Sequence, residues 1–291
     1  MNPPRDPNVI TVDVEVVNIL CTVRDRKGAF VNDLSRDDFH IREDGRPQEI
    51  RYFTREVDTP IVVALLLDVS GSVRRILDIE KNAASRFLAE VLRPADRALF
   101  VTFAQTVAVW QDLTSNLDRL NTALQAAHPF DPTRMPEFRP HGGTLLYEAV
   151  NLVADKKLAR VPGRKAMVII TDGVDSGSIF AAGAAVKAAQ NADSIIYGIH
   201  YADDGSTARN FSTQGAEALR KLAEPTGGRM FHVSGGLPLE TVFKTIREEM
   251  RNQYAIGYTS TNRARDGAYR RIEIKTARPG VRVQARQGYY R

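Results

Sequence analysis

The chain has 291 residues, 43% of them hydrophobic and 26% charged, with a formal net charge of +5. That composition supplies a core and excludes a mainly disordered chain, while the charge is mild for a nucleic-acid binder. The longest apolar run, Ile61 to Leu67, is far short of the roughly 18 residues of a membrane helix. Met1 to Asn8 carries no apolar signal-peptide stretch, and the one cysteine, Cys21, excludes an intramolecular disulfide scaffold.

Residues 9–57 carry β signals. Val12, Val14 and Val16 alternate with polar neighbours, the period of a half-buried strand. Asp25 to Gly28 has turn chemistry, and Ser35 with Asp38 marks a single helical turn. Asp44-Gly45, between Phe39–Ile41 and Ile50–Phe53, predicts a hairpin. Over 58–253 the rhythm changes. Ile61–Leu67 reads as a strand buried on both faces, and Ile76, Ile79, Ala83, Phe87 and Val91 then recur at helical spacing. Strands at 98–103, 166–170, 194–200 and 230–233 alternate with helices to about residue 250, which predicts a doubly wound, mainly parallel α/β sheet. From Tyr254 alternation returns. The flanks, 1–57 and 254–291, each have too few strands to bury an apolar face, so they are expected to pack as one small β-domain around the α/β domain of 58–253.

The segment from Thr261 to the end has nine basic residues against Asp266 and Glu273, a net +7. Its alternation predicts that the bases lie on one outward face, which reads first as a solvated strand surface. An acidic partner or nucleic acid is the second reading.

Three segments carry chemistry. Asp68-Val-Ser70-Gly-Ser72 follows the buried strand and opens a helix. Hydroxyls there would suit an anion, but Asp68 repels one, and hydroxyls with carboxylates suit a hard divalent cation instead. Asp172-Gly173 puts a second carboxylate past another strand, and Gly142-Gly143-Thr144 adds a third hydroxyl at a helix start. This set resembles the metal-ion-dependent adhesion site of von Willebrand factor A (VWFA) domains, with Asp68, Ser70, Ser72, Thr144 and Asp172 filling its five positions. The flanking motifs, Leu34-Ser-Arg-Asp-Asp-Phe39 to Glu43-Asp-Gly45 and Gly288-Tyr-Tyr290, resemble those of VWFA-related bacterial proteins best known from acidobacteria.

The resemblance implies a Rossmann-like fold and no enzymatic activity. It implies a divalent cation, Mg²⁺ first, with Mn²⁺ or Ca²⁺ as alternatives. Ser70, Ser72 and Thr144 would bind it directly, and Asp68 and Asp172 largely through water. A protein ligand presenting Asp or Glu would complete the site, and family members are usually exported. His141 reads as a loop residue or a donor beside the site, and Asp175-Ser176 as its rim or as an N-cap for the next helix. A serine hydrolase is disfavoured because Gly-x-Ser-x-Gly is absent and His141-Gly-Gly follows Ser70 in the chain. His40, His128, His200 and His232 read as scattered structural residues, and Cys21 as a buried thiol.

Overall fold

The computed structural model describes residues 16–56, 58–131, 143–172, 175–201, 209–234 and 236–291. The chain begins with β1 (Val16–Asp25), a 3₁₀ turn at Arg36–Asp38, β2 (Phe39–Glu43), β3 (Arg46–Gln48) and β4 (Ile50–Glu56). The α/β body follows as β5 (Ile61–Asp68), α1 (Leu77–Val91), β6 (Arg97–Phe103), β7 (Val107–Thr114), α2 (Leu117–Ala126), α3 (Leu146–Leu152) and β8 (Arg164–Thr171). It continues through α4 (Ala182–Asn191), β9 (Ser194–His200), α5 (Arg209–Ala223), β10 (Met230–His232) and α6 (Leu239–Arg251). The chain closes with β11 (Gln253–Thr259), β12 (Tyr269–Thr276), β13 (Val281–Ala285) and β14 (Gly288–Tyr290).

The body is a six-stranded sheet in the order β10-β9-β8-β5-β6-β7, parallel except for β7 at the edge. β5 lies at its centre, and the apolar run has a direct cause. Ile61, Val63, Leu65 and Leu67 enter one core with α1, α2 and α6, while Val62, Ala64 and Leu66 enter another with α3, α4 and α5. Neither face of β5 meets water, so alternation is absent.

Helix α1 buries Ala83, Phe87 and Val91 of its predicted face, but the face is shifted at its start. Ile79 is 53% exposed, whereas Leu77, Glu80, Ala84 and Leu88 are buried. That buried stripe also obeys helical spacing, but a glutamate sits in it.

Two further sheets each draw strands from both ends of the chain, in the orders β13-β1-β11-β4 and β14-β12-β2-β3, all antiparallel. Their shared core includes Val17, Ile19, Cys21, Phe39, Ile41, Tyr254, Ile256 and Tyr258. Burial pushes the Cys21 thiol up to about 12, so it is inert.

Three expectations are corrected here. Val16 faces outward at 38% exposure, and Val17 and Ile19 face the core. They pair opposite Tyr258 and Ile256, so the inward parity is the reverse of that predicted from Val12, Val14 and Val16; residues 12–15 lie outside the described residues. The Asp44-Gly45 turn joins β2 to β3, not to 50–53, because Ile50–Glu56 crosses to pair with β11. The basic residues of the C-terminal segment do not share one outward face. Arg270 is buried against Asp266, Arg286 is largely buried against Asp193, and Arg278 reaches Asp33. Paired guanidinium groups tolerate burial that a pattern of alternation assigns to apolar residues.

Candidate metal site

Asp68 ends β5 and Asp172 directly follows β8, its parallel neighbour. The chain runs from β5 outward to β6 in one direction, and from β8 to β9 and β10 in the other. The two carboxylates therefore stand at the C-terminal edge of the strands where the sheet order reverses, the place where open α/β sheets bind ligands.

Asp68 is fully buried. Its Oδ1 accepts the Ser70 N–H at 2.8 Å, and its Oδ2 accepts the Thr171 hydroxyl at 2.5 Å. The first bond bends the chain into the 3₁₀ turn of Gly71–Val73. The second ties the end of β5 to the end of β8. Burial pushes the Asp68 carboxyl up to about 6, the two hydroxyl and amide donors oppose that shift, and the charge of Asp172 adds to it.

Thr144 joins the same edge from the third segment. It is buried, and its N–H donates to Ser176 Oγ at 3.1 Å while its carbonyl accepts the Ser176 N–H at 3.2 Å. The next N–H, of Leu145, donates to the Ala104 carbonyl just past β6 at 2.8 Å. Gly143 makes this approach possible. Its φ is +122°, and a Cβ there would lie 2.6 Å from the Ser176 backbone.

Asp175 caps a different helix from the one expected. Its Oδ1 accepts the Tyr147 N–H at 3.2 Å, in the first turn of α3, and the Ser178 hydroxyl at 2.6 Å. At the start of α4, the N-cap residue Ala181 has no side-chain cap. The loop after β8 is thus fastened over the start of α3, beside Thr144. Ile179, 90% exposed, projects from that loop.

Sequence reasoning missed two features of this edge. Glu80 on α1 is fully buried, and among the described residues neither carboxylate oxygen has a hydrogen-bond partner. Burial and the charges of Asp68 and Asp172 hold its carboxyl well above the usual range. The available signal was its spacing from Leu77, Ala84 and Leu88. The second is a histidine pair. His200 and His232 end β9 and β10, and their Nδ1 atoms lie 2.9 Å apart, so one donates and the other accepts. Burial, then the neighbouring His232, lowers the His200 pKa.

Asp68, Ser70, Thr144 and Asp172 are among the described residues. The backbone of Ser72 lies in the 3₁₀ turn, while its side chain, like His141, Gly142 and Gly173, lies outside the described residues. No group of three or more His, Cys, Asp or Glu side chains converges into a metal cage among the described residues. The donor set consists of hydroxyls and few carboxylates, and the charges of Asp68 and Asp172 act on the buried Glu80, which has no hydrogen-bond partner among the described residues. Those residues fit a hard divalent cation that keeps part of its water.

Residues 63–174 match the von Willebrand factor type A domain. Among curated proteins none matches the chain. Several solved structures share the fold. The conserved hypothetical protein BatB from Bacteroides thetaiotaomicron is 21% identical with a TM-score of 0.50, over 65% of this chain and 97% of that one. A von Willebrand factor type A protein from Catenulispora acidiphila is 12% identical with a TM-score of 0.53, over 96% of this chain and 74% of that one. Proximal thread matrix protein 1 from the mussel byssus, with a zinc-occupied MIDAS motif, is 14% identical with a TM-score of 0.54, over 70% of this chain and 49% of that one. The Catenulispora likeness takes in both flanks as well as the body. The α/β body of this chain has the von Willebrand factor type A fold, and its residues 63–174 match that family.

Proposed function

We propose that this chain is a non-enzymatic, cation-dependent binding module that captures an acidic side chain of a protein partner. The observation that carries this reading is the meeting of Asp68, Asp172, Ser70 and the Thr144 loop at one reversal point of the sheet. A bound divalent cation, Mg²⁺ first, would supply an electrophilic position for an incoming carboxylate. Ser70, Ser72 and Thr144 would offer hydroxyl oxygens, and Asp68 and Asp172 would hold its water and balance its charge. Asp68 is positioned for this by Thr171 and the Ser70 amide, and Thr144 by Ser176. The zinc-occupied motif of the mussel protein supports a cation at such an edge.

In this reading residues 58–253 form the binding body and the two flanks form one supporting β-unit. The protein acts outside the cytoplasm, as a scaffold or adhesion element. A nucleic-acid role through the C-terminal bases is less supported, because Arg270, Arg278 and Arg286 are engaged by Asp266, Asp33 and Asp193.

Capture of partners from the source organism's envelope and medium, in Mg²⁺ and in excess chelator, tests the function. The expected result is a protein retained in Mg²⁺, released by chelator and not bound by Asp68→Ala. A partner held equally under all three conditions contradicts it.

A further inference from the structure

Glu80 presents a physical problem. Isolated buried carboxylates cost several kcal/mol unless paired or neutralised. Glu80 is 0% exposed, and neither of its oxygens has a partner among the described residues. The adjacent Lys81 does not relieve it. The Lys81 ammonium is turned to the Gln125 and Ala127 carbonyls at the end of α2, both at 3.0 Å. The other buried members of its stripe, Leu77, Ala84 and Leu88, offer no donor.

Its place in the fold supplies a reason. Glu80 stands in the first turn of α1, the helix that the Asp68 turn opens. Helix side chains lean toward the N-terminus, which here is the cation-site edge of the sheet. The charges of both Asp68 and Asp172 act on it. Among the described residues it does not converge with them into a direct cage, so a water or the field across the interior carries the interaction.

We propose that Glu80 is a sixth residue of the cation site, a buried carboxylate that strengthens binding of a hydrated divalent cation without ligating it directly. The inference rests on the reading of Asp68 and Asp172 as the cation site. Glu80 adds a negative charge behind the ion, where low dielectric preserves its effect, and the ion supplies the counter-charge that Glu80 lacks. It is a positioning residue, and a cation held only by the five motif residues has no use for it.

The test is calorimetric titration of the whole protein with MgCl₂ alone, and with MnCl₂ as a second probe. The variants are Glu80→Gln, Glu80→Met as a volume-matched control, and Asp68→Ala. Thermal unfolding without metal is the second readout. Loss of a supporting residue around a metal typically weakens affinity 10- to 100-fold, and Glu80→Gln is expected to weaken Mg²⁺ binding at least tenfold. Its metal-free melting temperature should equal or exceed that of the wild type. Wild-type affinity in either folded Glu80 variant, with binding lost in Asp68→Ala, overturns the proposal and leaves the site reading intact. Wild-type affinity in Asp68→Ala overturns the site reading itself. Lower metal-free stability in both Glu80 variants also overturns the proposal, since it would make Glu80 a structural residue.

Discussion

Among the described residues three glutamates are buried, and the fold treats them differently. Glu43, in the core between the two small sheets, accepts the Tyr258 hydroxyl at 2.7 Å, the Ser260 hydroxyl at 2.5 Å and the Tyr289 hydroxyl at 3.0 Å. Glu249, on α6 where it meets β1, lies 3.1 Å from Arg24 and 2.5 Å from Arg229. Glu80 has neither hydroxyls nor arginines among the described residues. Where a carboxylate holds the architecture together, the chain supplies its partners. At the candidate site one is left without them among the described residues, a difference that the proposed cation would account for.

The largest effect that sharpens this contrast is at the junction. Glu249→Ala leaves Arg24 and Arg229 without their shared acid and should destabilise the protein by about 3 kcal/mol, toward the low end for a broken buried pair because both arginines are partly exposed. Urea unfolding measures it, and a loss below about 0.5 kcal/mol would make the junction resemble a surface pair.

Next is the pH response of the metal-free protein. The folded pKa of Asp68, about 6, lies above its unfolded value, so its contribution is fully present below about pH 4 and is lost as pH rises through 6. The stability of Asp68→Asn relative to wild type should therefore rise by about 3 kcal/mol between pH 4 and pH 7 without metal. Saturating Mg²⁺ should abolish that rise. A pH-independent difference would mean that Asp68 is not desolvated and uncompensated.

Glu80→Met tests the other side of the comparison. Removing an unpartnered buried acid should raise metal-free stability at pH 7 by about 1–2 kcal/mol, in contrast to the loss expected at Glu249. Equal losses at both positions would erase the distinction. The smallest effect is expected at the surface pair of Lys157 and Asp112, 2.6 Å apart. Lys157→Ala should change stability by no more than about 0.5 kcal/mol, and a larger loss in urea unfolding would show that charge pairs outside the interior matter here.

Much of this organisation is legible in the residues. The double-sided burial of Ile61–Leu67 makes β5 central, and a strand of that kind ending in Asp68-Val-Ser70 already locates the edge where Asp172 must meet it. Glu80 is not legible in that way. Ile79 and Glu80 are neighbours on α1, and hydropathy alone assigns the buried place to isoleucine, whereas the packing of Leu77, Ala84 and Leu88 assigns it to glutamate. Val16 and Val17 pose the same problem in β1, where only the pairing with β11 selects the inward parity. The role of Asp175 at α3 was hidden for a third reason. It is 28 residues from the Tyr147 amide it caps, and no local pattern encodes that distance.

Cation-dependent stabilisation tests the central claim most directly. Wild type and Asp68→Ala are unfolded in urea without divalent metal and in MgCl₂ at about a hundredfold excess over the dissociation constant, where a folded-state ligand contributes about 2.7 kcal/mol. The wild-type midpoint should rise accordingly and return on chelation, while the Asp68→Ala midpoint stays fixed. No rise in the wild type, or the same rise in Asp68→Ala, would contradict a cation site at this edge of the sheet.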